Sequence, residues 1–201
     1  MLYKLIRIIG LPLYHLFYPH KTFGKENIPK DENCIFVCNH YAKIDIVVVY
    51  EFFKKCPHIL GKKELTKNRF FGNILKKIGL IPIDRTGVSL DALKQCFSVL
   101  KSGGNLIIFP EGTRNKGEEL QEIKGGTGMI AFKAKAKIVP MAMKKRYRLF
   151  RKNYLAIGKP FDFSDKYGEK LDAALIKELD DRIYNEINAC RQTAIELSEK
   201  K

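Results

Sequence analysis

A histidine and an aspartate lie five residues apart, directly after an apolar stretch. His40 and Asp45 follow the run Cys34 to Cys38, which is typical of a short buried strand. Asp45 can reach back to His40 if the residues between them turn or begin a helix. A carboxylate bonded to one imidazole nitrogen fixes the tautomer and leaves the other nitrogen free to take a proton. The pair predicts a general base for a hydroxyl group, although a solvated surface turn would give the same spacing.

A second polar segment follows a second apolar run. Phe109-Pro110-Glu111-Gly112-Thr113-Arg114 comes after Leu106 to Ile108. A strand that stops at a proline and then presents Glu, Gly, Thr and Arg predicts a loop that displays polar groups. An ordinary charged turn explains this segment alone, but the two segments together are far more specific than either.

These segments, with three others, resemble the glycerophospholipid acyltransferases, and among them the bacterial 1-acyl-glycerol-3-phosphate acyltransferases. The resemblance extends from about Gly24 to Pro160, and its segments stand in the family's order: 40–45, 79–85, 109–114, Lys124-Gly125-Gly126 and 138–142. Residues 41–43 and Pro82 depart from the usual family residues. These departures bear on acceptor or chain-length preference and leave the chemistry as it stands.

The resemblance implies acyl transfer from a thioester to an alcohol, which needs a base, a stabilised oxyanion and a held acceptor. His40 is expected to be the base and Asp45 to orient it. Direct attack by the acceptor hydroxyl is favoured, because the sequence has no Ser or Cys nucleophile motif. The rival is a Cys38–His40 nucleophile, but a thiol inside an apolar run is usually inert.

Cations in the matching segments are candidates for binding the acceptor's phosphate. Arg85 and Arg114 each present a guanidinium fork that suits phosphate oxygens. The simpler interpretation of Arg85 is an ion pair with Asp84 or a surface charge. Lys124 stands before two glycines, whose N–H groups could form an anion nest, although a flexible turn explains the same residues.

The remaining candidates rest on the resemblance. It implies that Glu111 contacts the acceptor, that Gly112 keeps its loop close to the substrate, and that Thr113 belongs to this binding loop. It also implies that Pro140 lines the acceptor side, where the simpler interpretation is a strand-edge proline.

The predicted activity transfers a fatty acyl group to the free hydroxyl of 1-acyl-glycerol 3-phosphate (lysophosphatidic acid), giving phosphatidic acid in phospholipid biosynthesis. The expected donor is acyl-coenzyme A or acyl carrier protein, and no metal and no other cofactor is expected. The enzymatic alternatives are acylation of another lysophospholipid or of glycerol 3-phosphate. A non-catalytic basic module on lipid or RNA is a further alternative. Nucleic acid is not an expected partner, because the sequence has no RNA-stacking motif.

Composition sets the broad class. The 201 residues suit one domain with a sizeable core, and 37 Lys and Arg against 22 Asp and Glu give a formal net charge of +15. Such a charge attracts phosphates, anionic lipid, acidic proteins or nucleic acid without choosing among them. The five cysteines lack C-x-x-C spacing, which argues for a reducing compartment and against disulfides or a zinc site.

The N-terminal segment, residues 1–20, is expected to be an amphipathic helix at a membrane surface, ahead of an acyltransferase domain spanning 21–201. Its apolar residues recur at helical spacing, Lys4 and Arg7 interrupt them, and Pro12 predicts a kink. Three tyrosines are expected at the lipid boundary. A helix docked on the domain core is the alternative. The expected location is the cytoplasmic face of the cell membrane, held peripherally.

Strands alternating with helices predict an α/β fold, with a mixed, partly parallel sheet flanked by helices as in the glycerol-3-phosphate acyltransferases. In such sheets, sites gather at strand ends. His15, His20 and His58 have no carboxylate at a suggestive spacing and are expected to be structural or solvated. The predicted helices are 88–101, 126–135 and 171–197, and the predicted strands are 34–38, 106–109, 138–143 and 154–157.

Overall fold

The computed structural model describes residues 2–30, 33–84, 89–117 and 119–200. Within these ranges one seven-stranded sheet forms the centre of the protein. Its strands are β1 (His20–Phe23), β2 (Cys34–Cys38), β3 (His58–Lys62), β4 (Leu80–Ile83), β5 (Leu106–Ile108), β6 (Lys137–Met143) and β7 (Asn153–Ile157).

The sheet is mixed and mostly parallel, as predicted. Its strand order is β1-β7-β6-β2-β5-β3-β4, and the five strands from β6 to β4 are all parallel to their neighbours. β7 pairs antiparallel with β6, and β1 pairs parallel with β7. The carboxyl ends of β2, β5, β3 and β4 therefore lie along one edge of the sheet.

Helices cover both faces of this sheet. They are α1 (Leu2–Leu5), α2 (Leu11–Phe17), α3 (Asp45–Tyr50), α4 (Arg69–Lys77), α5 (Leu90–Lys101), α6 (Thr127–Ala134) and α7 (Ala173–Glu199). The predictions of α5, α6, α7 and four strands are confirmed to within a few residues. β1, β3, β4, α3 as a full helix and α4 were not predicted.

Strand β2 shows how the two cores form. Ile35 and Val37 pack with α5, α6 and α7, whereas Cys34, Phe36 and Cys38 pack with α3 and the N-terminal helices. Because successive side chains point to opposite faces, a strand covered on both faces has to be apolar throughout. All five residues of β2 are buried, which explains the unbroken apolar run in the sequence.

The N-terminal segment is kinked and is docked on the body of the protein by part of its surface. A π-helical turn, Ile6–Gly10, joins α1 to α2 just before Pro12, where a kink was predicted. Tyr3 and Tyr14 are buried, so the prediction that the tyrosines lie at a lipid boundary is wrong for these two. The Tyr3 hydroxyl donates to the carbonyls of Tyr50 and Phe53, at 3.1 and 2.9 Å.

The other side of the N-terminal segment is exposed and apolar. Its exposed side chains are Leu5, Ile8, Ile9, Leu13, Leu16 and Phe17. The segment is thus docked on the body by its tyrosines and presents an aliphatic surface outward. No helix among the described residues combines the length and the apolarity needed to cross a bilayer.

Candidate active site

The two polar segments meet because their strands are neighbours. β2 and β5 are adjacent and parallel, so the chain leaves both strands at the same edge of the sheet. His40 follows β2 and Glu111 follows β5. The predicted position of the site, at the carboxyl ends of parallel strands, agrees with the rule for open α/β sheets.

His40 and Asp45, hereafter the dyad, are in direct contact. His40 Nδ1 lies 3.0 Å from Asp45 Oδ2, with Asp45 fully buried and the His40 side chain 18% exposed. The same Oδ2 accepts the backbone N–H groups of Tyr41 and Ala42, each at 2.6 Å. A turn leads into α3, whose first residue is Asp45. Since a carboxylate oxygen only accepts, Nδ1 carries a proton, and Nε2 is left as the basic nitrogen in a neutral ring.

The backbone of His40 is held on both sides by the β5 loop. Its N–H donates to Glu111 Oε1 at 2.9 Å, and its carbonyl accepts the N–H of Asn115 at 2.6 Å. The preceding residue, Asn39, is fully buried and bonds to both the N–H and the carbonyl of Met143 in β6, at 2.8 and 2.9 Å. Residues from three strands therefore fix the base before any substrate arrives.

An aromatic ring also fixes the plane of the imidazole. Phe109 stacks on His40 with ring centroids 4.3 Å apart and an angle of 18° between the planes. Phe109 begins the second polar segment of the sequence, where no role was predicted for it. Its position two residues before Glu111 is the only signal that could have indicated one.

Glu111 lies beneath His40 and has little contact with solvent. Its side chain is about 1% exposed, and Oε2 accepts no hydrogen bond from any described residue. Burial raises the pKa of Glu111 to about 7, with the nearby Asp45 charge acting in the same direction and hydrogen bonds, led by that from His40, opposing it. The contact between Glu111 and the acceptor, implied by the resemblance, stays a prediction.

Two cations, Arg114 and Lys124, belong to this loop or contact it. Arg114 is exposed, precedes the Asn115 that bonds to His40, and forms no ion pair with any residue in the described ranges. Gly112 has φ +66°, and a Cβ there would lie 3.1 Å from Lys124 Cδ. The Lys124 side chain therefore packs against Gly112. Thr113 Oγ1 donates to Gln121 Oε1 at 3.2 Å.

The predicted anion nest after the paired glycines is filled by the protein itself. Asp180 of α7 accepts the N–H groups of Gly126 and Gly128 through its two oxygens, at 3.1 and 2.8 Å. Burial raises the pKa of Asp180, which these hydrogen bonds partly oppose. The Asp180 carboxylate thus anchors the start of α6 to α7.

Two further candidates lie elsewhere. Pro140 is buried in β6 opposite Val37, between two neighbouring strands, so it is not a strand-edge proline. Its role in lining the acceptor side stays a prediction. Arg85 lies outside the described residues, directly after Asp84 at the end of β4.

Lysines at the same sheet edge were not recognised in the sequence, because β3 was not predicted. β3 ends at Lys62, and a cavity of about 390 Å³ nearby is lined by Lys63, Glu64, Thr66, Lys67 and Asp84. These lysines add positive charge at the carboxyl ends of β3 and β4, and Arg85 follows β4 in the sequence.

The rival nucleophile is poorly placed for chemistry. Cys38 is fully buried, and its Sγ lies 3.6 Å from Asn39 Oδ1. Burial raises the pKa of the Cys38 thiol well above its usual value, and the charges of Asp45 and Glu111 raise it further. Because the thiolate is the reactive form, these surroundings argue against an acyl-enzyme on Cys38.

Comparison with known proteins identifies the family. The Acyltransferase family model matches residues 21–144, a span that contains the dyad and the β5 loop. The chain belongs to the acyltransferase family. It is therefore an enzyme of the class that the resemblance predicted.

Relatives of this acyltransferase have consistent names. The 1-acyl-sn-glycerol-3-phosphate acyltransferase of Bacillus subtilis (strain 168) is 33% identical over 172 residues, covering 81% of this chain and 85% of that protein. The enzyme of the same name from Streptococcus pneumoniae (strain ATCC BAA-255 / R6) is 35% identical over 176 residues, covering 82% of this chain and 64% of that protein. Among solved structures, the 1-acyl-sn-glycerophosphate acyltransferase of Thermotoga maritima superposes with a TM-score of 0.69 at 27% identity, covering 98% of this chain and 80% of that one.

Proposed function

We propose that this acyltransferase transfers a fatty acyl group to the free hydroxyl of 1-acyl-glycerol 3-phosphate, giving phosphatidic acid for phospholipid synthesis. The observation that carries the proposal is the bond from His40 Nδ1 to Asp45, which leaves Nε2 as the base. The names of the relatives from Bacillus subtilis and Streptococcus pneumoniae support the acceptor.

The chemistry follows from that nitrogen. Nε2 of His40 removes the proton of the acceptor hydroxyl as its oxygen attacks the thioester carbonyl of the donor, acyl-coenzyme A or acyl carrier protein. Asp45 stabilises the imidazolium that forms. When the tetrahedral intermediate collapses, the carbon–sulfur bond breaks and the imidazolium returns the proton to the leaving thiolate. The products are an ester and a free thiol.

A reconstituted assay tests this activity directly. Purified protein is incubated with lysophosphatidic acid and each donor in turn, and the product is identified by mass. We expect phosphatidic acid from the parent and from His58→Ala, and no product above background from His40→Ala. Absence of product from the parent would favour a non-catalytic lipid-binding module. Product from glycerol 3-phosphate alone, or from another lysophospholipid, would change the acceptor.

Arg114 is the described residue best suited to bind the acceptor's phosphate. Lys124 and Arg85 are further candidate donors. Replacing Arg114 by Lys keeps the charge and removes the planar fork. Loss of one bidentate contact should raise the acceptor KM about tenfold, equivalent to about 1.4 kcal/mol, with kcat little changed. Arg151→Lys, also at an exposed arginine, is the control. An unchanged KM in Arg114→Lys would exclude this contact.

The exposed surface of the N-terminal segment is proposed to bind anionic membrane at its cytoplasmic face. Ile8 and Leu16 are 72% and 66% exposed, and the net charge of +15 favours anionic headgroups. A double variant, Ile8→Ser with Leu16→Ser, should co-sediment less with phosphatidylglycerol vesicles. Leu90→Ser, at a position 73% exposed on α5, should bind as the parent does. Equal binding by all three proteins would exclude this surface as the anchor.

A further inference from the structure

Two histidines and a glutamate meet beneath the N-terminal segment. His15 belongs to α2, His20 begins β1, and Glu51 directly follows α3. His15 Nε2 lies 3.1 Å from Glu51 Oε2, and His20 Nε2 lies 3.0 Å from Glu51 Oε1. One potential ligand atom from each residue lies within 4.8 Å of the other two. No carboxylate stands at a suggestive spacing from these histidines in the sequence, because their partner, Glu51, comes from a distant part of the chain.

The surroundings of His20 make its contact with Glu51 repulsive when the imidazole ring is neutral. Its Nδ1 lies 3.2 Å from the carbonyl oxygen of Tyr18, which can only accept, so Nδ1 carries a proton. In the neutral ring, Nε2 then presents a lone pair to a carboxylate oxygen 3.0 Å away. Two lone pairs at this distance repel, and the side chains of His20 and Glu51 are only 2% and 7% exposed. A cation between them removes the repulsion.

Buried polar atoms around the cluster also lack partners. The hydroxyls of Tyr14 and Tyr147 form no hydrogen bond within the described ranges. The rings of both tyrosines pack against His20, with centroids 5.7 Å from it. Buried groups without partners usually indicate a bound water or ion. The His20 ring also stacks on that of His15, centroids 4.9 Å apart, which disfavours charging both rings.

We propose that His15, His20 and Glu51 bind one divalent transition-metal ion of the zinc class. Two imidazole nitrogens and a carboxylate are a donor set that suits zinc. Ligand atoms bonded to one zinc at about 2.0–2.1 Å lie roughly 3.3 Å apart in tetrahedral geometry, close to the two N–O separations here.

The ion has a structural role. It joins α2 to the start of β1 and the end of α3, so it fixes the N-terminal segment to the body of the protein. The site is built from residues outside the dyad, and no step of acyl transfer passes through it. Metal binding can therefore be tested without measuring activity, and a failure of this proposal would leave the proposed function untouched.

The test is a zinc titration of the full-length protein after treatment with a chelator and dialysis. Calorimetry should give one zinc ion per chain, and Co²⁺ should give visible d–d absorption without a sulfur-to-metal charge-transfer band. At a zinc concentration one hundred times the dissociation constant, the unfolding midpoint should rise by roughly 5 to 10 °C.

Variants locate the site. His15→Ala should bind zinc at least tenfold more weakly, and it is expected to fold because the His15 side chain is 48% exposed. Glu51→Gln, which keeps the side-chain shape, should do the same. His58→Ala, outside the cluster, should bind as the parent does. If the parent binds no zinc, or if His15→Ala and Glu51→Gln bind it normally, the proposal is wrong. If the unfolding midpoint does not change with zinc but rises when the pH is lowered from 7.5 to 6, a proton on the imidazole occupies the place between His20 and Glu51, and the proposal is also wrong.

Discussion

Replacing Asp45 by Asn separates two roles of the dyad carboxylate. A single oxygen, Oδ2, accepts from His40 Nδ1 and from the N–H groups of Tyr41 and Ala42. An asparagine that places its Oδ1 in the same position accepts all three bonds. The imidazole then keeps its tautomer, so the substitution removes the negative charge and little else from the site.

The expected loss of rate follows from Coulomb's law. Two unit charges about 4 Å apart interact by about 4 kcal/mol at an effective dielectric constant of 20. The imidazolium exists only after His40 has taken a proton, so this loss falls on kcat, which should drop about 10³-fold while KM changes little.

The other carboxylate oxygen of Asp45 is buried and accepts no hydrogen bond from a described residue. An amide there leaves two N–H donors unpaired, which costs about 1–3 kcal/mol of folding free energy, offset in part because no charge is buried.

Steady-state kinetics with lysophosphatidic acid and a thioester donor measure the effect, with urea unfolding in parallel. Ile183→Val is the stability control, because it removes a methyl from a fully buried α7 residue for about 0.5–1.5 kcal/mol and should keep the parent kcat. Asp45→Asn should lie between the parent and His40→Ala. A loss smaller than tenfold would refute the charge argument, and a loss as complete as in His40→Ala would refute retention of the tautomer.

Two more predictions concern the β5 loop. Burial raises the pKa of Glu111 to about 7 from an ordinary 4.5, so its contribution to stability is present at low pH and is lost as the pH rises through 7. Between pH 5.5 and 7.5 the free energy of unfolding of the parent should fall by roughly 2 kcal/mol more than that of Glu111→Gln. Urea unfolding at constant ionic strength measures both. Unfolding free energies that change in parallel with pH would contradict this prediction. Gly112→Ala places a Cβ at φ +66° and should lower the thermal unfolding midpoint by about 2 to 8 °C. Gly117→Ala, where φ is not positive, is the control and should leave the midpoint nearly unchanged. Equal midpoints for the two variants would show that the loop relaxes around the added methyl group.

The sequence predicted the central sheet well for a physical reason. Strands β2, β5 and β6 are covered on both faces, so each is a short apolar run that stands out from its polar flanks. β3 was missed because its pattern is mixed: His58–Lys62 is half-exposed and contains a glycine and a terminal lysine. The carboxyl-end location of the site then followed from the alternation of strands and helices.

Contacts between distant residues could not be read from spacing. The short gap between His40 and Asp45 made their contact predictable. Glu51 reaches His20 across 31 residues, and Asp180 reaches Gly126 across 54, through folding that no local pattern specifies. For this reason the sequence did not show that Asp180 occupies the predicted anion nest. It also did not show that His15 and His20 share Glu51 as a partner.

The two hydrogen bonds between the Asn39 side chain and the Met143 backbone can form only late in the synthesis of the chain. The two residues are 104 positions apart, and at about 5–20 residues per second a ribosome needs roughly 5–20 s to travel between them. Until then His40 lacks its anchor to β6, and Glu111 and Asn115 have emerged only part of the way through that interval. Nascent chains that end before Met143 should therefore be catalytically silent, however much of the dyad they already contain. Activity should therefore appear only with the last third of the chain.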